Sequence, residues 1–145
     1  MNFFTQRNFI LSILISAIGI WSCSDKLTDP IPYKFVDFTV DLNAAGNGKL
    51  TGIGGYYVEP NEGVKGIIIF HRGSEDYVAY DRCCSYRPAD ACAKVNVDAN
   101  LLTATDSCCQ SRFLLSDGSP AQGPAIHVLK QYFVTRNGSL LRITN

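Results

Sequence analysis

The sequence is short of most of what would point to catalysis or to nucleic acid. Its 145 residues include two histidines, one Met and one Trp. Thirteen basic residues offset thirteen acidic ones, and no run of Lys and Arg disturbs that balance. A protein without a basic face lacks the electrostatic footprint of a nucleic-acid binder, so no nucleic-acid partner is expected. No Cys-x-x-Cys motif occurs, which argues against a zinc ribbon with paired knuckles and against a dithiol oxidoreductase. No apolar run reaches the roughly 20 residues that a helix needs to cross a bilayer. Past the N-terminal segment, no stretch of about ten residues shows helical spacing with caps. Repeats and low-complexity segments are absent. A hydrolytic thiol needs a His base and an orienting partner. No motif ties His71 or His127 to a cysteine, so both read as ordinary strand or surface histidines, and no catalytic residue is assigned.

What is there begins with an apolar stretch. Met1 to Asn8 carries Arg7 and no acid, and Phe9 to Trp21 is apolar apart from Ser12, Ser16 and the small Ala17 and Gly19. This has the layout of a secretion signal, whereas a buried amphipathic helix would show polar positions at helical spacing. The end of the run, Ile20-Trp21-Ser22-Cys23, resembles the lipobox of bacterial lipoproteins. That resemblance implies diacylglyceryl transfer to Cys23 and cleavage before it. Residues 1–22 are then a signal peptide, 23–32 a lipidated tether, and 33–145 the folded domain. The tether is polar and contains Pro30 and Pro32, as a spacer between lipid and domain should be. Two or more acyl chains would hold the protein on a membrane. Ser24 after the lipidated Cys favours the outer membrane of the cell envelope by the sorting rule of such lipoproteins. Thr5-Gln6-Arg7-Asn8-Phe9-Ile10 resembles a twin-arginine signal whose first Arg is Gln, which favours secretion of an unfolded chain. Loss of Arg7 leaves the mature form at 12 − 13 = −1.

The domain reads as all-β. Val36, Phe38, Val40 and Leu42 alternate with Asp37, Thr39 and Asp41, the period of a strand with one wet face. Gly52, Gly54 and Gly55 suggest a bulge or a tight backbone approach. Ile67-Ile68-Ile69-Phe70 is a continuous β-branched and aromatic run, expected to be buried on both faces. Asp76 to Tyr80 alternates again. Asp117-Gly118 and Asn137-Gly138 separate apolar segments and favour the positive φ of tight hairpins. Short strands with such punctuation predict an antiparallel barrel or sandwich.

Five cysteines remain in the domain, and an exported protein meets an oxidising compartment, so disulfides are expected and one thiol is left over. They lie in two loops, Arg82 to Cys92 and Asp106 to Phe113. Adjacent cysteines in extended chain point to opposite sides, so Cys83-Cys84 and Cys108-Cys109 each send one sulfur each way. The order and flanks of these loops resemble the Rieske family of [2Fe–2S] proteins. Tyr77-Val78-Ala79-Tyr80-Asp81-Arg82 leading to Cys84 matches the entry to the first loop, and Ser111-Arg112-Phe113 the exit from the second. Downstream of that exit, Asp117-Gly118, Gly123-Pro124-Ala125 and Leu129-Lys130-Gln131-Tyr132 match further family segments, and Ile31 to Leu42 fits an edge strand.

The resemblance implies a Rieske-like fold with two Cys-bearing loops at one end, and it sets out a ligand set. The first-loop Cys falls on Cys84 and its His on Tyr86; the second-loop Cys falls on Asp106 and its His on Cys109, with Gln110 at the following Gly. The family's disulfide falls on Cys92 and Cys108. Cys84 and Cys109 are left to close a second disulfide, which oxidation favours, or to hold a metal with Tyr86 or Asp106 as oxygen ligands. The expected function is that of a clusterless, disulfide-stapled binding or structural module with an envelope protein as partner, without catalysis of its own and without a cofactor. The alternative is an electron-transfer lipoprotein holding an iron–sulfur cluster or another metal through this unusual set.

Overall fold

The run Ile67 to Phe70 is the spine of the molecule, and its continuous apolarity has a direct structural cause. In the computed structural model, which describes residues 29–145, it lies in a strand with all four side chains buried. Ile67 and Ile69 enter one core and Ile68 and Phe70 a second core on the opposite face. The signal segment and Cys23 lie outside the described residues.

In chain order the elements are β1 (Asp37–Asp41), α1 (Gly48–Thr51), β2 (Tyr56–Glu59), β3 (Ile67–Gly73), β4 (Asp76–Asp81), β5 (Val95–Val97), β6 (Thr103–Asp106), β7 (Arg112–Leu114), β8 (Pro120–Gln122), β9 (Gln131–Asn137) and β10 (Leu140–Thr144). Every pairing is antiparallel. Six strands form a curled sheet in the order β1-β10-β9-β4-β3-β2, and four form a smaller one in the order β5-β6-β7-β8. The architecture is therefore the all-β antiparallel one that the sequence predicts.

The first core fills the space between the spine and the small sheet, with Tyr80, Val95, Ala104, Phe113 and Leu129 among its members. The second is enclosed by the large sheet and holds Val36, Leu50, Tyr77, Tyr132 and Ile143. The strand β4 serves both, with Tyr77 and Ala79 on one side and Val78 and Tyr80 on the other. Its alternating chemistry suggests one wet face; instead it is buried on both, because one core packs against each face. The edge strand β1 keeps one open face, where Arg142 of β10 grips Asp37 with two nitrogens at 2.9 and 2.7 Å. Ahead of β1, Ile31 is buried and Asp29 pairs with Lys130 at 3.3 Å, so these residues lie against the domain.

Both marked hairpins form, with a refinement. Asn137 pairs with Leu140, leaving Gly138 and Ser139 as the connection, and Gly138 alone takes positive φ, 62°. Glycine at the first central position is the type II′ solution, not the type I′ turn that Asn-Gly would make. Gly118 has φ 74°, and a Cβ there would stand 2.9 Å from the Tyr80 ring, so turn and core both exclude a side chain. At Gly55 a Cβ would run into the carbonyl oxygen of Lys49 in α1, which is the close approach the glycine cluster suggested.

Candidate functional site

The two cysteine loops meet at one end of the small sheet. The first begins where β4 ends: Cys83 bridges to Lys94, and the chain returns into β5. The second spans the gap between β6 and β7. Because Val95 at the start of β5 pairs with Asp106 at the end of β6, both loops emerge on the same side. A disulfide between Cys92 and Cys108 ties them together, with Cα atoms 5.6 Å apart.

The adjacent cysteines do diverge. Cys83 is wholly buried, its sulfur 3.6 Å from the carbonyl oxygen of Pro88, and burial pushes its thiol up to about 11. Cys84 turns the other way, into the first core and toward the second loop, where its sulfur lies 3.7 Å from that of Cys109. Burial also raises the Cys84 thiol, and the neighbouring Asp106 and Cys109 raise it further. The pair expected to form a second disulfide thus stands as two thiols within reach of each other.

Asp106 completes the group: one sulfur each from Cys84 and Cys109 and one carboxylate oxygen lie within 4.8 Å of one another. Asp106 is fully buried. Its Oδ1 accepts the Cys108 N–H at 2.7 Å, and its Oδ2 is met by the Cys109 thiol at 3.2 Å. Among the described residues no Lys, Arg or His pairs with it. Ser111, which is also buried, accepts the Ala125 N–H at 2.9 Å and sits 3.1 Å from the Cys109 sulfur. Gln110 has φ 62° where a glycine would be unstrained. A cavity of about 250 Å³ opens beside Asp106 and Cys109, bounded by Tyr86, Arg87, Asp90 and Pro124. Tyr86 is thus at the rim of the site, but 45% exposed.

Two histidines stand apart from this group. His71 stacks on Tyr77, with ring centroids 4.3 Å apart, on the strand pair that faces the other core. His127 contributes its backbone oxygen to the Ser85 hydroxyl at 2.6 Å.

Sequence reading missed the other buried carboxylate. Asp81 at the end of β4 accepts from the backbone N–H groups of Val64, Lys65 and Cys83 and from the Tyr132 hydroxyl. Those four donors hold the entry to the first loop against the β2–β3 connection and β9. Only its place directly ahead of Arg82-Cys83 could have drawn attention to it.

With the geometry in place, the chain is similar to the cyanobacterial plasma membrane Rieske protein PetC3 from Synechocystis PCC 6803. The TM-score is 0.54 and the identity 19%, over 73% of this chain and 98% of that one. A ferredoxin of carbazole 1,9a-dioxygenase from Nocardioides aromaticivorans superposes with a TM-score of 0.48 and 17% identity, over 77% of this chain and 97% of that one. No family model and no curated protein matches the sequence. The fold is Rieske-like.

Such a fold implies a [2Fe–2S] cluster held by two thiolates on one iron and two imidazoles on the other. The donors gathered here do not fit it. They are two sulfurs and one carboxylate oxygen in a single tight group, with neither imidazole among them.

Proposed function

We propose that this chain is a membrane-anchored, extracytoplasmic protein that uses the Rieske fold without its cluster, as a binding or structural module of an envelope assembly. The observation that carries the reading is the donor set of Cys84, Asp106 and Cys109, which lacks any imidazole where a Rieske iron needs two. By the Rieske resemblance, Tyr86 and Cys109 stand at the positions of the neutral imidazoles on which a high-potential centre depends, and Asp106 puts a hard carboxylate at the position of a thiolate. The Cys92–Cys108 bridge holds the two loops without help from a cluster. Anchoring rests on the Ile20-Trp21-Ser22-Cys23 motif, with residues 1–22 as signal, 23–32 as lipidated tether and the outer membrane as the favoured site. No helix among the described residues is long and apolar enough to cross a membrane.

The test is iron and acid-labile sulfide analysis of protein purified anaerobically, together with mass spectrometry of its N-terminal peptide. The expected protein is colourless, gives no EPR signal after dithionite, and begins at an acylated Cys23. Stoichiometric iron and sulfide would instead favour the second reading, an electron-transfer lipoprotein, which draws its support from the same convergence of Cys84, Asp106 and Cys109. An unmodified Cys23 would remove the anchor.

A further inference from the structure

We infer that Cys84, Asp106 and Cys109 form a site for one tetrahedral divalent cation of borderline-soft character, with zinc the natural occupant. The inference rests on the clusterless reading and names a ligand for the same site.

The spacing suits one ion rather than two. An ion about 2.3 Å from each of two thiolates at a tetrahedral angle sets those sulfurs about 3.8 Å apart. Cys84 and Cys109 stand at 3.7 Å. A carboxylate oxygen at about 2.0 Å from the same ion falls about 3.5 Å from each sulfur. The Asp106 Oδ2 to Cys109 Sγ distance is 3.2 Å. A disulfide needs the sulfurs at about 2.05 Å, so that fate requires them to come in from 3.7 Å, whereas an ion fits between them at the distance they already hold.

Charge gives a second, independent argument. Removing a carboxylate from water is costly unless a cation or a full set of donors compensates it. Asp81 has the full set, three backbone N–H groups and a phenol. Asp106 is equally buried and has one N–H and only the weakly donating thiols of Cys109 and Cys84. Its Oδ2 is aimed at the two sulfurs, where a divalent ion would supply the missing positive charge. The bare donor set carries three negative charges when deprotonated, so the occupied site would hold one net negative charge.

The surroundings fit a ligating role. Ser111 Oγ accepts the Ala125 N–H at 2.9 Å and the Cys109 thiol at 3.1 Å. Once Cys109 is a metal-bound thiolate, the Ser111 hydroxyl proton can turn to donate to that sulfur. Ser111 is in this respect a positioning residue that orients a ligand. Three protein donors leave a fourth position, and the cavity bounded by Tyr86 and Pro124 gives it room for water or a small anion.

The test uses the full chain in detergent, isolated from the envelope without chelator. One equivalent of zinc is expected by elemental analysis, with Cys84 and Cys109 recovered as thiols once the metal is removed. Cobalt titration of the metal-free protein should give the visible bands of a tetrahedral site and a thiolate charge-transfer band. Cys84→Ser and Cys109→Ser should each cut that band to roughly half and weaken binding at least about 100-fold, a loss beyond that of a supporting residue. Asp106→Asn should weaken binding but keep the two-thiolate band, and Ser111→Ala should cost about 10–100-fold. Cys83→Ser should change nothing. Should Cys84→Ser fail to fold, Asp106→Asn decides, because its amide oxygen still accepts the Cys108 N–H. Metal-free protein, a Cys84–Cys109 disulfide, or binding indifferent to Cys109→Ser would overturn this site alone. Iron with acid-labile sulfide would overturn it together with the clusterless reading.

Discussion

Two buried aspartates set the terms at the scale of single residues. Asp81 and Asp106 are both fully buried, yet only Asp81 has donors enough to be at rest without a partner ion. Its bond to Tyr132, 2.8 Å long, crosses from β4 to β9 and is the one side-chain donor it receives. A hydrogen bond to a charged group is worth about 1.5–3 kcal/mol. Tyr132→Phe should therefore destabilise the protein by about that amount, measured as a shift of the urea midpoint at constant slope. A change under about 0.5 kcal/mol would show that the three backbone donors satisfy Asp81 by themselves.

At the scale of elements, the two cysteine loops are placed side by side by the β5–β6 pairing and joined by their own bridge. The second loop turns through a residue with positive φ, Gln110, and is braced by Asp106 within itself. What joins it to the first loop is the bridge across a sequence separation of 16. On chain-entropy grounds a loop of that length is worth about 3 kcal/mol once closed. Replacing Cys92 and Cys108 together by Ala should lower stability by about that figure, measured by denaturant titration under non-reducing conditions. The strands themselves should persist, since β5 to β8 contribute Val95, Ala104 and Phe113 to a core that the bridge does not enter. Loss of the far-UV β signature in the double variant would contradict this division.

Across the whole molecule, the β4 strand, the first loop and β9 carry groups that resist losing a proton. Burial raises the thiols of Cys83 and Cys84 and the phenols of Tyr80 and Tyr132, Cys83 to about 11 and Tyr80 to about 12. Each is neutral when protonated, so the unfolded chain releases these protons first as pH rises. The folded state then binds more protons than the unfolded one, and stability falls with pH. Their contribution is fully present below the ordinary thiol value of 9.0 and is lost as pH rises through about 11 to 12. The metal-free protein should accordingly show a denaturation midpoint that declines steadily from about pH 9, where the free groups begin to ionise, to about pH 12, where the folded ones do. A flat profile would mean that these groups ionise as readily folded as unfolded.

Much of the fold was legible in the sequence because it depends on local chemistry. The β-branched run at Ile67 was consistent with a strand buried on both faces, and Gly118 and Gly138 mark turns because glycine reaches positive φ without strain. The order of loops and flanks pointed to the Rieske-like fold, and the placing of Cys92 and Cys108 came with it. Burial on both faces of β4 was not legible, since alternation along Asp76 to Tyr80 reports the residues and not which sheets will cover them. Nor was the character of the site. Cys84 and Cys109 are far apart along the chain, and sequence alone could weigh a disulfide against a metal only by the redox compartment. The tertiary structure decided what lies between them: a fully buried carboxylate on the adjoining strand with no cation of its own among the described residues. Burial and electrostatic compensation are properties of a folded surface, set by residues that the chain brings together from separate strands, and no local pattern encodes them.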